Sequence, residues 1–171
     1  MKIALIGFMG TGKTSLGKLL AARLQYDFVD TDQLLETRQK QSIATIFARH
    51  GEDYFRQLER ELARELAEWD RVVISTGGGF ALNPDNLQPL RHDGIIVSLV
   101  APAETIYERV KADSERPLLA GADPLGRIRD LLRQRAAIYR GADVVIDTSE
   151  KSPEELADEL VRRLETERTG Q

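Results

Sequence analysis

The chain has 171 residues, 42% hydrophobic and 30% charged, a length and balance that predict one globular domain with a full core. Its formal net charge of -4 argues against a general nucleic-acid or anionic-membrane binder, which needs a basic patch or stripe. With no cysteine there is no disulfide, thiolate metal site or cysteine nucleophile, a composition that fits the cytoplasm.

Along the chain, strands and helices alternate. An apolar run from Ile3 to Ile6 is too short for a signal-peptide core or a membrane span and predicts a buried first strand. A helix is predicted from about Lys13 to Leu24, with Leu16, Leu19, Leu20 and Leu24 on one face. Phe28 and Val29 predict a short second strand ending at Asp30, followed by two or three helices between about Asp32 and Trp69, with a break near Gly51. Arg71 to Ser75 predicts strand three, Asp85 to Arg91 a short helix, and Gly94 to Val100 strand four. Pro102 then opens another helix. The charged, Pro- and Gly-containing stretch from Ala112 to Asp123 reads as a loop of functional length. A helix from about Leu125 to Arg140, a strand from Asp143 to Asp147 and a helix opening at Ser152-Pro153-Glu154-Glu155 complete the pattern. The tail after Glu165 is polar and predicted to fray. Near-continuous apolar strands between helices imply a parallel sheet covered on both faces.

Gly7-Phe8-Met9-Gly10-Thr11-Gly12-Lys13-Thr14 fits the phosphate-loop pattern G-x-x-x-x-G-K-[ST], between a strand and a helix. Such a loop curls backbone amides around a phosphate, and the new helix points its positive end at the same anion. Lys13 would reach the β- and γ-phosphates and the Thr14 hydroxyl would ligate Mg²⁺. The acid that usually ends a neighbouring strand is missing from Val73-Ile74-Ser75, but strand two ends in Asp30-Thr31-Asp32. One of these carboxylates can hold metal-bound water and the other can accept a proton from a substrate hydroxyl. Asp30 fits equally well as a helix N-cap, with Gln33 as capping-box partner.

Gly77-Gly78-Gly79 follows strand three, where ligands collect in parallel sheets; three glycines in a row suggest close backbone approach or positive φ. Arg135 falls inside the apolar stripe of Ile128, Leu131, Leu132, Ile138 and Tyr139, where a guanidinium needs an anion: an internal carboxylate or, preferred, an anionic substrate. Arg56 flanks the stripe of Phe55, Leu58, Leu62 and Leu66, and Glu52 four residues earlier offers a surface ion pair. Arg116, in the irregular loop, could close over a γ-phosphate. His50 and His92 receive no chemical role.

In order, Gly7 to Thr14, Asp30-Thr31-Asp32, Phe55-Arg56, Gly77 to Gly79, Arg116-Pro117-Leu118-Leu119 and Arg135 to Arg140 together resemble the shikimate kinase family. The resemblance spans the chain to about Pro153. It implies a three-layer α/β/α fold with a five-stranded parallel sheet in order 2-3-1-4-5. It also implies one domain over residues 1–171, with a substrate-binding insert at about 31–60 and a lid at about 112–124. The resemblance makes Asp32 the acid on the shikimate hydroxyls, and Arg56 and Arg135 the grip on its carboxylate, with Gly78 beside them. Asp30 and Thr14 would serve Mg²⁺, and Arg116 the transferring phosphate. Gly10, Thr11, Gly12, Lys13, Thr14 and Ser15 would cradle ATP, with Arg109 and Lys151 flanking the adenine. Lys151 stands where the family pattern has arginine. The implied reaction, with Lys13, Asp32 and Arg116 as its catalytic residues, is Mg²⁺-dependent phosphoryl transfer from ATP to the 3-hydroxyl of shikimate. A chain of this size can bury a core alone, so a monomer is expected. A gluconate or nucleoside monophosphate kinase is the nearest alternative, since gluconate also offers Arg135 a carboxylate. A nucleotide-switch GTPase would need N-K-x-D, which is absent, although Asp123-Pro124-Leu125-Gly126 matches D-x-x-G by letters.

Overall fold

The structure, a computed structural model, describes residues 1–113 and 120–169, with side chains described as far as 166. Five parallel strands, β1 (Lys2–Gly7), β2 (Asp27–Asp30), β3 (Val72–Ser75), β4 (Gly94–Val100) and β5 (Val144–Asp147), form one sheet in the order β2-β3-β1-β4-β5. This is the sheet order that the family resemblance implies. The helices are α1 (Lys13–Leu24), α2 (Thr31–Gln39), α3 (Ile43–His50), α4 (Glu52–Ala67), α5 (Pro84–Arg91), α6 (Ala103–Val110), α7 (Pro124–Arg140) and α8 (Pro153–Thr169), with a 3₁₀ turn at Phe80–Leu82.

Pleating explains why the strands read as unbroken apolar runs. Alternate residues point to opposite faces, and both faces are covered. Ala4, Ile6, Val72, Ile74 and Ile96 pack against Leu62 and Leu66 of α4, Leu90 of α5, Ile106 of α6 and Ile128 of α7. Ile3, Leu5, Val73, Val97 and Leu99 pack against Leu16 and Leu20 of α1 and Leu156 and Leu160 of α8. The result is two cores and three layers.

The register fixes what gathers at the carboxyl edge. Ser75 stands opposite Leu5 on one side and Asp30 on the other, while Gly7 stands opposite Leu99. The phosphate loop therefore leaves the centre of the sheet with Asp30 and Ser75 beside it.

The structure refines two sequence expectations. Helix α8 continues to Thr169, past the predicted fray point at Glu165; its last turns are built of good helix formers, and Thr166 Oγ1 donates back to the Arg162 carbonyl. The loop before α7 ends in a cap: Asp123 accepts the Gly126 N–H at 3.0 Å, and Pro124 takes the first helical position. The letters that match D-x-x-G are thus a helix N-terminus. Positions 114–119, including Arg116, lie outside the described residues. Among the described residues, no helix is long and apolar enough to cross a membrane.

Gly94, the first residue of β4, has no room for a side chain. A Cβ there would stand 2.6 Å from Lys2 Cγ and closer still to the Leu90 carbonyl oxygen, which is backbone and cannot swing away. Gly94→Ala should lower the free energy of unfolding by about 1–3 kcal/mol. Urea denaturation checks this, and an unchanged midpoint would mean that the α5–β4 junction is looser than described.

Candidate active site

The phosphate loop takes its shape from glycines in conformations other residues avoid. Gly10 has φ 74° and Gly12, the residue before α1, has φ 94°. Lys13 is buried and folds back across the loop, donating to the carbonyls of Gly7 at 2.8 Å and Phe8 at 2.9 Å. Its ammonium thus sits against the concave backbone at the helix N-terminus, where a phosphate would be cradled.

All three residues of Asp30-Thr31-Asp32 have work here. Asp30 is the helix N-cap that its sequence allowed, and it has a second oxygen to spare. Its Oδ1 caps α2, accepting from the amides of Asp32 and Gln33, while its Oδ2 accepts the Thr14 hydroxyl at 2.9 Å. Ser75 Oγ lies 3.3 Å from the same hydroxyl. Three oxygens, from the phosphate loop, β2 and β3, meet where strand three lacks its usual acid; a hard cation takes such oxygen ligands. Among the described residues no group of three or more His, Cys, Asp or Glu side chains could hold a metal on its own. An ion here would complete its shell with phosphate and water. The buried Thr31 hydroxyl accepts the Gly77 N–H at 2.9 Å and ties the glycine run to α2.

That run works by close approach, since none of its three residues has positive φ. A Cβ on Gly77 would stand 2.9 Å from Asp32 Cγ and closer still to Oδ1. One on Gly79 would stand 2.7 Å from both terminal nitrogens of Arg56. The Gly78 carbonyl accepts Arg135 Nη1 at 3.3 Å. Gly77, Gly78 and Gly79 thus touch Asp32, Arg135 and Arg56 in turn.

Asp32 is the most perturbed acid of the group. Burial raises its pKa from 3.8 to about 6, helped by the carboxylates of Asp30, Glu59 and Glu36 and opposed by Lys13. Arg56 pairs with Glu52 at 3.2 Å, as its i,i+4 spacing predicts, and with Glu59 at 2.7 Å. Glu59 is buried, which pushes its carboxyl up; Arg56 pulls it the other way. Sequence reasoning missed Glu59, although it falls between Phe55 and Leu62 in the buried stripe of α4, the pattern that singled out Arg135. Arg135 itself is half-buried, with its guanidinium 5.3 Å from the centre of the Phe8 ring. Among the described residues it has no carboxylate partner, so an internal ion pair does not account for its place in the stripe.

On the other side of the loop, Arg109 and Lys151 come together around a cleft of about 260 Å³ that also meets Thr11, Gly12, Ser15 and Thr148. Arg109 is fixed by the Gly10 carbonyl at 3.1 Å and by the carbonyl of Thr148 at 2.5 Å. The Thr148 hydroxyl donates to the Thr11 carbonyl at 2.9 Å. No sequence pattern marked Thr148. Lys151 is paired with Glu159 at 2.6 Å.

Known proteins of one family resemble this chain over nearly its whole length. The family model for shikimate kinase matches residues 9–165. A shikimate kinase of Caldanaerobacter subterraneus subsp. tengcongensis is 48% identical over 160 residues, covering 94% of each chain. A solved structure, shikimate kinase from Acinetobacter baumannii in complex with shikimate, superposes with a TM-score of 0.91 at 35% identity, covering 97% of this chain and 93% of that one. A gluconokinase from Sinorhizobium meliloti reaches a TM-score of only 0.61 at 17% identity, over 99% of this chain and 96% of that one, a likeness of fold alone.

The raised pKa of Asp32 has a consequence for stability. Between the usual value of 3.8 and the folded value of about 6, the folded chain holds a proton that the unfolded chain has lost. Stability therefore falls as pH rises through that window and stays lower above it. Asp32→Asn should be more stable than the parent at neutral pH by about 1–3 kcal/mol, with the gain vanishing in acid. Urea melts at several pH values test this; a gain independent of pH would mean that the carboxyl is not the cause.

Proposed function

The chain belongs to the shikimate kinase family, and from that premise we propose that it transfers the γ-phosphoryl group of ATP to the 3-hydroxyl of shikimate, releasing ADP and shikimate 3-phosphate. The observation that carries this reading is the glycine run, against which an acid and two guanidinium groups converge beside a phosphate loop. Shikimate offers hydroxyls for the acid and a carboxylate for the arginines. The place of such a reaction is the synthesis of chorismate and aromatic amino acids. A monomer in the cytoplasm, with residues 1–171 as one domain and an insert at about 31–60 for the acceptor, is part of the same proposal.

ATP lies with its phosphates on Gly10, Thr11, Gly12, Lys13, Thr14 and Ser15 and its base between Arg109 and Lys151. Lys13 turns from the carbonyls of Gly7 and Phe8 to the β- and γ-phosphates. Mg²⁺, which Thr14 and Asp30 would hold, would supply charge neutralisation on the phosphates. Arg56 and Arg135 take the shikimate carboxylate, each able to give two parallel N–H···O bonds that orient the ring. The buried Glu59 keeps the Arg56 guanidinium aimed.

With the ring held, Asp32 in its ionised form accepts a hydrogen bond from the 3-hydroxyl. It takes the proton as the hydroxyl oxygen bonds to phosphorus and the bond to ADP breaks. A pKa near 6 leaves Asp32 ionised at neutral pH yet basic enough to receive that proton. The transition state spreads charge over the phosphoryl oxygens, so positioning and charge do most of the work. Arg116, in the lid assigned to about 112–124, is proposed to close over the transferring group and exclude water.

ADP release from ATP and Mg²⁺, with shikimate, gluconate or nucleoside monophosphates supplied in parallel, tests the acceptor. Release is expected with shikimate and little without it, while release only with another acceptor would overturn the assignment. Lys13→Ala should lower kcat by about 100- to 1,000-fold, and near-normal turnover would remove Lys13 from the mechanism.

Arg135→Ala should raise the shikimate KM by about 10- to 100-fold, the loss of a hydrogen bond to a charged group, and the ATP KM far less. Equal effects on both constants would make Arg135 structural.

A further inference from the structure

One residue of the phosphate loop also reaches Arg135. Phe8 is 1% exposed, and its ring lies 5.3 Å from the Arg135 guanidinium. Its carbonyl, within the phosphate loop, receives the Thr11 hydroxyl at 2.7 Å and the Lys13 ammonium at 2.9 Å. The neighbouring Met9 amide is also the nearest atom to a Cβ built on Gly78, at 3.9 Å, and Gly78 carries the carbonyl that holds Arg135. Arg135 therefore rests on two supports from outside its own helix, an aromatic face from the loop and a carbonyl from the glycine run, with Tyr139 of α7 beside it. Among the described residues neither support is a carboxylate.

We propose that Phe8 is a positioning residue that seats Arg135 and through it couples nucleotide occupancy of the phosphate loop to affinity for the acceptor's carboxylate. The inference rests on the shikimate kinase reading. An aromatic face attracts a guanidinium and restricts it to a plane. The ammonium that now holds the Phe8 carbonyl is the group that turns to the phosphates when nucleotide binds. A loop closed around a triphosphate has its backbone fixed, and with it the ring under Arg135. The carboxylate then meets a guanidinium already ordered and binds more tightly. Linkage makes the effect reciprocal, so the acceptor tightens the nucleotide by the same factor.

The test is calorimetric titration of shikimate into the full chain, with and without a saturating non-hydrolysable ATP analogue and Mg²⁺. In the parent, the analogue should tighten shikimate by roughly fivefold or more. In Phe8→Leu, which keeps apolar bulk but has no aromatic face, the ratio of the two affinities should fall to about one. Shikimate affinity without nucleotide should weaken roughly three- to tenfold. Phe8→Tyr, which keeps the face, should restore most of the ratio. Phe8→Met repeats the measurement at a volume closer to phenylalanine, should the leucine variant melt early. Damage to packing alone would weaken shikimate equally with and without nucleotide and leave the ratio intact. An intact ratio in the leucine and methionine variants, or a ratio of one in the parent, overturns the proposal. Failure of the parent to bind shikimate at all would instead overturn the acceptor assignment on which it rests.

Discussion

Parallel pairing is the constraint from which the rest follows. Because β1 pairs with β3 and β4, and β3 with β2, all in the same direction, every strand delivers its C-terminal residue to one edge. Asp30 and Ser75 end their strands level with Leu5, two residues before Gly7; hydrogen-bond register alone sets these positions. The loop after β1, the helix cap after β2 and the glycine run after β3 are then neighbours by construction. Chemistry at that edge needs only suitable side chains at strand ends, while the strands themselves stay committed to two apolar cores.

What distinguishes this edge is the absence of side chains at Gly77 and Gly79. Each missing Cβ makes room for a functional group, a carboxylate in one case and a guanidinium in the other. The backbone becomes a floor with Asp32 against Gly77 and Arg56 against Gly79. Asp32 is kept from neutralising Arg56, whose own partners are Glu52 and Glu59. That separation leaves an acid and guanidinium groups to be answered by one acceptor carrying hydroxyls and a carboxylate.

Holding an acid this way works against folding. Asp32 is partly desolvated next to Asp30, Glu59 and Glu36, and Lys13 relieves it. The same arrangement places its proton affinity near the range where a general base is effective. Glu59 shows the complementary case, a buried carboxylate kept tolerable by the guanidinium it steers. Function here is visible as electrostatic strain retained in a chain that elsewhere buries apolar side chains in the ordinary way.

Much of this was legible in the chain of residues because local rules carry it. Apolar runs, a phosphate-loop pattern between strand and helix, prolines at helix starts and a guanidinium in an apolar stripe each report on neighbours close in sequence. They determined the alternation of elements and the place of the phosphate-loop motif, and they marked Arg135 as a guanidinium in need of an anion. Asp30 could not be decided between cap and metal-side acid, since both roles use the same group. Only the tertiary structure showed one oxygen capping the helix and the other turned to the Thr14 hydroxyl of the phosphate loop. Glu59 beside Arg56 was open to the stripe argument and was overlooked, whereas Thr31 under Gly77, Thr148 behind Arg109 and Phe8 beneath Arg135 left no sequence signal. Those last contacts join residues 46, 39 and 127 positions apart. No periodicity reaches so far; strand register and helix packing set such distances.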